Sequence, residues 1–229
     1  MSLPLLYAIL DHDLAAAAGW TLPALARACL EGGARLLQVR AKSIGASALL
    51  SVCEEIGRDV AASGATLIVN DRADVARLVA GAGVHVGQDD LPPAFVRRIV
   101  GPDVVVGLST HAVDQVDAAL TQPIGYLAVG PVFGTRTKDT GYQAVGLDLV
   151  RYAAAAAARA AGRAGQSPVP VVAIGGITLE TAASVLAAGA ASVAVISDLL
   201  VGGDPVARVR ACLEELRTLG PGGSTGSQR

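Results

Sequence analysis

The stretch Val169–Leu200 constrains the fold more than any other part of the sequence, because it contains a complete strand–helix–strand unit. Val171–Ile174 is a short apolar run, which is typical of a strand buried on both faces of a parallel sheet. Two glycines follow it, helical spacing covers Thr178–Ala188, and Val193–Ile196 is a second apolar strand. The unit predicts a parallel α/β fold whose helices cover the sheet.

The same alternation of strand and helix patterns recurs along the chain and gives eight strands in total. The six earlier strands are predicted at Leu5–Leu10, Leu36–Val39, Ala65–Val69, Gly83–Val86, Val104–Leu108 and Tyr126–Val129. Eight such units predict a single (β/α)₈ TIM barrel, which typically needs about 250 residues, so 229 residues leave no room for a second domain. We expect a catalytic domain over residues 1–219 and a disordered, glycine- and serine-rich tail over 220–229.

Composition excludes several classes of function. A net charge of −2 gives no general attraction for nucleic acid or for an anionic membrane. The sequence has neither a signal-like start nor an apolar run of about 18 residues, so we expect a soluble, cytoplasmic protein. Cys29, Cys53 and Cys212 lie in apolar helical patterns without metal or redox spacing, which predicts buried, reduced thiols.

The ends of the last two strands are candidates for a phosphate site. Gly175 and Gly176 follow the seventh strand, and Ile196-Ser197 ends the eighth. Loops at these two positions of a TIM barrel commonly bind phosphate through backbone N–H groups. The alternative is that the glycines only permit a tight turn.

Polar residues at the end of the second strand are candidates for a ligand clamp. Gln38, Arg40 and Lys42 alternate, so they point the same way while strand geometry lasts. Lys42 and Lys138 are the only lysines beside sixteen arginines, which suggests sites that need a compact ammonium group. The alternative for the clamp is a solvated start of a loop.

Two carboxylates at neighbouring strand ends are candidates for a cation site. Asp71 follows the third strand and Asp90 follows the fourth. Adjacent strands lie about 4.8 Å apart, so the two side chains could share one Mg²⁺, with phosphate and water as its other ligands. The alternative for Asp71 is that it caps the next helix.

The loop Gly130–Asp139 is unusually long and combines hydroxyl groups, cations and glycines, which favours a role in closing over an anion. His12 and His85 have no partner recognisable from spacing, and His111 is expected to be structural, because it lies at or near the start of a helix. We therefore assign catalysis to none of them.

Ordered motifs from about Tyr7 to Leu200 resemble the thiamine-phosphate synthase family. The motifs are QVRAK at Gln38–Lys42, NDR at Asn70–Arg72, GVHVGQDDLP at Gly83–Pro92, GLSTH at Gly107–His111, GPVFGTRTK at Gly130–Lys138, and GGI and VIS further on. The resemblance implies a transferase that joins hydroxymethylpyrimidine diphosphate to thiazole phosphate and releases pyrophosphate. It also implies one Mg²⁺ per subunit, two small-molecule substrates and self-association.

The resemblance implies a role for each matching residue. Contacts to the pyrimidine diphosphate would come from Gln38, Arg40, Lys42, Asn70, Ser109 and Lys138, with Lys138 and Ser109 acting in catalysis. The metal ligands would be Asp71 and Asp90. Thiazole phosphate would lie against Thr135, Thr137, Gly176, Ile196 and Ser197. Departures from the family pattern occur at Ala41, Ser43, Gly134 and Arg136, and they concern substrate affinity.

Three alternatives remain beside this reading. A thiazole tautomerase resembles the same family but has a catalytic histidine where this chain has Pro131. A non-catalytic phosphate-binding barrel would not need Asp71, Asp90 and Lys138 together. An aldolase or isomerase would need a Schiff-base lysine or a carboxylate base at a strand end.

Overall fold

The computed structural model describes residues 3–134 and 142–218 of the chain. Within these ranges the strands are β1 Leu6–Asp11, β2 Leu36–Arg40, β3 Thr66–Asn70, β4 Gly83–Val86, β5 Val106–Thr110, β6 Tyr126–Val129, β7 Val171–Ile174 and β8 Ser192–Val195. The helices are α1 His12–Ala17, α2 Leu22–Gly32, α3 Ala46–Ala62, α4 Ala73–Leu78, α5 Pro93–Val100, α6 Val113–Ala119, α7 Gly146–Ala164, α8 Leu179–Ala187 and α9 Pro205–Thr218. A 3₁₀ segment, Ser197–Gly203, joins β8 to α9.

The strands form a closed barrel in which each strand pairs in parallel with the next along the chain. β8 closes the barrel against β1, with Leu6 opposite Val193 and Ala8 opposite Val195. The predicted single TIM barrel is therefore confirmed. Because all strands run the same way, their carboxyl ends meet at one face of the barrel. Any residue at the carboxyl end of a strand therefore lies on the same rim.

Two apolar cores explain why the strands are apolar on both faces. The inner core fills the barrel and consists mainly of Leu3, Tyr7, Ile9, Leu36, Ile68, Tyr126, Ala128, Val172 and Ala194. The outer core lies between the strands and the helices. Strand residues alternate between the two, so Tyr7 and Ile9 face inward while Leu6, Ala8 and Leu10 face the helices.

Helix α2 shows how local sequence sets an element of the outer layer. The Thr21 hydroxyl accepts a hydrogen bond from the Ala24 N–H at 3.3 Å and begins the helix. Gly33 ends it with a φ of 106°, in the left-handed region that favours glycine. The buried residues Leu22, Leu25, Ala26 and Cys29 recur at helical spacing and cover the barrel.

Several boundaries differ from the sequence prediction. β5 begins and ends two residues later than the predicted Val104–Leu108, so Ser109 lies within the strand and not after it. Buried hydrogen bonds allow these polar residues in the strand, since the Thr110 hydroxyl donates to the Ala128 carbonyl at 2.9 Å. The sequence prediction also missed α1, whose first turn is capped by the Asp11 carboxylate. In β5 the hydrogen bond of a polar side chain is made to another strand, and in α1 the polar side chain caps the helix. Neither interaction can be recognised from the apolar pattern of the sequence.

Cys29, Cys53 and Cys212 are buried and unpaired, as expected. Burial raises the pKa of Cys29 and Cys53 to about 12 and that of Cys212 to about 11, so these thiols are inert at neutral pH. No helix within the described ranges is long and apolar enough to cross a membrane. The expected tail, 220–229, lies outside the described residues.

Candidate active site

The barrel brings most of the predicted site residues to its carboxyl-terminal rim. Gln38 and Arg40 are in β2, Asn70 ends β3, and Ser109 is in β5. The remaining described members follow the strands directly or within four residues, and they are Lys42, Asp71, Asp90, Gly176, Ile196 and Ser197. Residues far apart in sequence thus lie on one face of the barrel.

The β2 clamp is held by acidic partners from neighbouring strands. The Arg40 guanidinium pairs with the Asp11 carboxylate, which is buried at the end of β1. Lys42 Nζ lies 3.0 Å from Asp71 Oδ2 at the end of β3. Gln38 is almost fully buried and points into the barrel. The alternative of a solvated loop start is therefore wrong for Gln38 and Arg40, whereas Lys42 is 56% exposed.

Asp71 and Asp90 carry neighbouring carboxylates, as their positions on consecutive strands predict. Burial raises the pKa of Asp71, and the Asp90 carboxylate raises it too, although Lys42 lowers it in part. Asp90 Oδ2 accepts a 2.8 Å hydrogen bond from the Gly87 N–H, which fixes the orientation of that carboxylate. Two carboxylates that one lysine does not fully neutralise favour a further cation between them.

The capping alternative for Asp71 is wrong. Helix α4 is preceded by Arg72 at the cap position, and no side chain caps the helix there. Asp71 instead has a φ of 61°, a left-handed backbone conformation that is uncommon for a residue other than glycine. Its N–H donates to the His85 carbonyl of β4 at 2.7 Å, so the turn is fixed to the neighbouring strand. Such strain is typical of functional sites.

The donor set at Asp71 and Asp90 fits Mg²⁺ better than a transition metal. Within residues 3–134 and 142–218 there is no group of three or more His, Cys, Asp or Glu side chains that could hold a metal ion. Two carboxylates are nevertheless what Mg²⁺ commonly takes from a protein, because substrate phosphates and water supply its other ligands. Asp71 and Asp90 are therefore the residues that would hold it.

A buried network of hydrogen bonds crosses the barrel beneath the rim, and the spacing of residues along the chain did not predict it. Gln38 Nε2 donates to the Tyr7 hydroxyl at 2.7 Å, and the two hydroxyls of Tyr7 and Tyr126 lie 2.9 Å apart. His85 Nδ1 lies 2.9 Å from the Tyr126 hydroxyl, and His85 Nε2 lies 2.8 Å from Ser109 Oγ. Two predicted substrate contacts, Gln38 and Ser109, are thus joined through three residues that spacing did not identify.

Gly107 is the one sequence signal that could have identified this network. A Cβ at Gly107 would lie 2.0 Å from Tyr126 Cζ, so only glycine leaves room for the tyrosine ring. The neighbouring strand residues are paired in register, Gly107 with Tyr126 and His85 with Gly107. A glycine within a strand indicates a close approach, but it does not show which residue approaches.

The loops after β6 and β7 run side by side at the predicted phosphate site. The Val132 N–H donates to the Ile174 carbonyl at 2.9 Å, and the Phe133 N–H donates to the Gly175 carbonyl at 3.0 Å. Gly176 has a φ of 64°, and a Cβ there would lie 2.6 Å from the Gly134 carbonyl oxygen. The two glycines therefore do more than permit a tight turn, since they allow the β6 loop to approach closely.

We expect Gly176→Ala to destabilise the protein more than Gly165→Ala does. Gly165 has nearly the same φ, 62°, but a Cβ there would have no heavy atom within 4 Å. Both substitutions carry the left-handed strain of about 1 kcal/mol, and only Gly176→Ala adds a steric clash of about 1–3 kcal/mol. Denaturant unfolding of both variants measures the difference, and equal losses would show that the β6 and β7 loops are not in close contact.

The turn after β8 is held by a buried ion pair. Asp198 follows Ser197, is 6% exposed, and accepts hydrogen bonds from Arg208 Nη2 at 2.6 Å and Nε at 3.1 Å. The same carboxylate accepts a hydrogen bond from the Leu179 N–H, the first of helix α8, at 3.1 Å. The predicted phosphate contacts Gly176 and Ser197 are thereby tied together through α8 and α9.

Three predicted residues cannot be compared with the structure. Thr135, Thr137 and Lys138 lie outside the described residues, as does Arg136. The flanking residues are described: His111, just after β5, stacks on Tyr142 with ring centroids 3.8 Å apart. The histidine expected to be structural thus has an aromatic contact.

A closed parallel barrel with a polar rim of this kind defines the class of TIM-barrel enzymes, whose sites lie at the carboxyl ends of the strands. The sequence model of the family described as thiamine monophosphate synthase matches residues 6–199. The chain belongs to the thiamine monophosphate synthase family and is a transferase. The resemblance drawn from the motifs is therefore confirmed.

Individual relatives agree with this assignment over nearly the whole chain. A thiamine-phosphate synthase of Koribacter versatilis is 42% identical over 225 residues, covering 95% of this chain and 98% of the relative. One of Roseiflexus castenholzii is 40% identical over 207 residues, covering 90% and 86%. The solved structure of a thiamine phosphate pyrophosphorylase from Pyrococcus furiosus has a TM-score of 0.80 at 25% identity, covering 94% of this chain and 96% of that one.

Proposed function

We propose that this enzyme condenses 4-amino-5-hydroxymethyl-2-methylpyrimidine diphosphate with 4-methyl-5-(2-phosphoethyl)thiazole to give thiamine phosphate and pyrophosphate. The observation that carries the proposal is the cluster of Lys42, Asp71 and Asp90 at consecutive strand ends of a chain from this family. A diphosphate needs several positive charges around it, and this cluster offers an ammonium group beside two carboxylates suited to Mg²⁺.

The bond changes require electrostatic help but no side-chain nucleophile. The C–O bond between the pyrimidine methylene and the diphosphate breaks, and its electron pair leaves with pyrophosphate. The thiazole nitrogen lone pair then forms the new C–N bond at that methylene. Bond breaking runs ahead of bond making, so stabilising the charge that develops on pyrophosphate is the main task of the site.

The first half of the site binds the pyrimidine diphosphate. Gln38 and Asn70 hold the pyrimidine end, and Arg40, Lys42 and Ser109 donate to the diphosphate. One Mg²⁺ per subunit, held by Asp71 and Asp90, would neutralise charge on the diphosphate oxygens when bound. Arg40 is fixed by Asp11 and Lys42 by Asp71, so these cations are oriented before the substrate arrives.

The second half binds thiazole phosphate at the ends of β7 and β8. Backbone N–H groups near Gly176, Ile196 and Ser197 would bind the phosphate, with the hydroxyls of Thr135 and Thr137. The contact between the β6 and β7 loops supports this proposal, because it brings the base of the threonine-containing loop to Gly176. Holding both substrates face to face supplies much of the remaining rate advantage.

Formation of thiamine phosphate and pyrophosphate from both purified substrates, with and without Mg²⁺, tests the function. The tautomerase alternative is disfavoured by Pro131, which occupies the position of that enzyme's catalytic histidine. Conversion of a thiazole precursor without the pyrimidine substrate would favour it instead. The same chain is proposed to work in the cytoplasm as one catalytic domain over residues 1–219, and self-association stays a prediction.

We expect Lys138→Ala to lower kcat by about 10²-fold while raising KM much less. A donor to the departing pyrophosphate contributes mainly in the transition state, because its interaction strengthens as charge develops. Lys138→Arg should restore activity only in part, since a planar guanidinium cannot take the position of a compact ammonium group. Steady-state kinetics with both substrates varied measures this, and an unchanged kcat in Lys138→Ala would remove the residue from the mechanism.

A further inference from the structure

We infer that the buried chain of hydrogen bonds from Gln38 to Ser109 has one direction, and that it makes the Ser109 hydroxyl a donor toward the diphosphate. Tyr7, Tyr126 and His85 are then positioning residues for the reaction, although none of them contacts the diphosphate in this scheme. The inference rests on the proposed role of Ser109 as a substrate contact. Its direction is inferred from counting donors, beginning at the Gln38 amide nitrogen that faces the Tyr7 hydroxyl.

Counting donors along the chain sets its direction. Gln38 Nε2 can only donate, so the Tyr7 hydroxyl accepts from it. Tyr7 is buried, so its single proton needs an acceptor, and the Tyr126 hydroxyl is its other hydrogen-bond partner among the described residues. Tyr126 then uses its own proton toward His85 Nδ1. A neutral histidine that accepts at Nδ1 carries its proton on Nε2, and that proton is donated to Ser109 Oγ.

The surroundings prevent the chain from reversing easily. Gln38, Tyr7 and Tyr126 are at most 1% exposed, so water does not compete for their hydrogen bonds. Burial raises the pKa of both tyrosines, so both phenols keep the proton that the chain requires. The His85 ring stacks on Tyr126 with an interplanar angle of 13°, and Tyr7 meets Tyr126 edge to face at 85°. Packing thereby fixes the three rings.

The consequence falls on the Ser109 hydroxyl. A serine hydroxyl normally rotates and can either donate or accept. Here it accepts from His85, so its own proton points away from His85. Ser109 lies next to the last residue of β5 and contacts His85 across the strands, so we infer that this proton is available to the diphosphate proposed to bind at the rim. A donor oriented in advance helps a leaving group that gains negative charge.

The first test is the tautomer of His85 in the wild-type protein, measured by ¹⁵N NMR of histidine-labelled enzyme at neutral pH. We expect a protonated Nε2 and an unprotonated Nδ1. A protonated Nδ1 would overturn the inference, because a neutral His85 would then donate to the Tyr126 hydroxyl and accept from Ser109 Oγ. This measurement needs no turnover, so it is independent of whether the proposed reaction is correct.

The second test removes the central hydroxyl with Tyr126→Phe, which keeps the ring that fits against Gly107. We expect kcat/KM for the pyrimidine diphosphate to fall about 10-fold, with the KM for thiazole phosphate unchanged. Tyr152→Phe is the matched control, since its hydroxyl contacts Asp117 on the surface at 2.9 Å, and it should retain wild-type kinetics. Wild-type kcat/KM in Tyr126→Phe would contradict the positioning role.

Combining Tyr126→Phe with Ser109→Ala distinguishes an effect of Tyr126 on Ser109 from a general disturbance of core packing. If Tyr126 acts through Ser109, the double variant should be no slower than Ser109→Ala alone. Independent, multiplying losses would overturn the inference, because they indicate damage unrelated to Ser109. Absence of thiamine phosphate formation by the wild type would instead refute the proposed reaction, while the tautomer measurement would still decide the direction of the chain.

Discussion

Asp71→Asn should abolish most Mg²⁺-dependent turnover, lowering kcat by about 10³-fold while the protein stays folded. The loss follows from removing one of two carboxylates that would hold the cation, an interaction worth several kcal/mol of charge stabilisation. Asparagine suits the test better than alanine, because it tolerates the left-handed backbone that Asp71 adopts at a φ of 61°.

The stability of the Asp71→Asn variant provides an independent check. Burial and the Asp90 carboxylate both disfavour the ionised form of Asp71, so replacing it should change the free energy of unfolding without Mg²⁺ by less than about 1 kcal/mol. Added Mg²⁺ with the pyrimidine diphosphate should raise the melting temperature of the wild type more than that of the variant.

Asp74→Asn is the matched control for this prediction. Asp74 lies three residues away in α4, is 61% exposed, and pairs with Arg72 on the surface. Its substitution should leave turnover and its dependence on Mg²⁺ unchanged. If Asp71→Asn kept a kcat within about threefold of wild type at limiting Mg²⁺, the metal assignment would be wrong.

Arg208→Met should destabilise the protein by about 3–5 kcal/mol. Arg208 is 17% exposed and makes two hydrogen bonds to Asp198, which is 6% exposed. Without the arginine, the buried Asp198 carboxylate keeps the Leu179 N–H but loses its countercharge. Denaturant unfolding at neutral pH measures the loss. We also expect a higher KM for thiazole phosphate, because Ser197 directly precedes Asp198.

Arg210→Met separates the buried pair from a surface pair on the same helix. Arg210 lies two residues further along α9, and its Nη2 is 3.6 Å from Glu31 Oε1, with side chains 61% and 69% exposed. Surface pairs of this kind contribute at most about 1 kcal/mol. Similar losses for Arg208→Met and Arg210→Met would refute the structural role assigned to the Asp198–Arg208 pair.

The fold was predictable because its signals are local and repeated. Val171–Ile174 and Tyr126–Val129 are apolar on both faces, since one face lines the barrel and the other packs under helices, and both were placed correctly. The predicted strand boundaries were wrong where a polar residue of the strand forms a hydrogen bond with a residue distant in sequence. Ser109 looked like a loop residue because nothing in the local sequence shows that His85 will contact it.

For the candidate site, too, some features were predictable from the sequence and others were not. The sequence by itself determined the barrel, and strand order then brought Asp71 and Asp90 together, because consecutive parallel strands end on one rim. Only the tertiary structure decided that Asp71 pairs with Lys42 instead of capping α4, and that Gln38 and Ser109 are joined through Tyr7, Tyr126 and His85. The physical reason is the separation along the chain. The periodicity of apolar residues depends on neighbours within a few positions, whereas these hydrogen bonds join residues of different strands that are up to 119 positions apart.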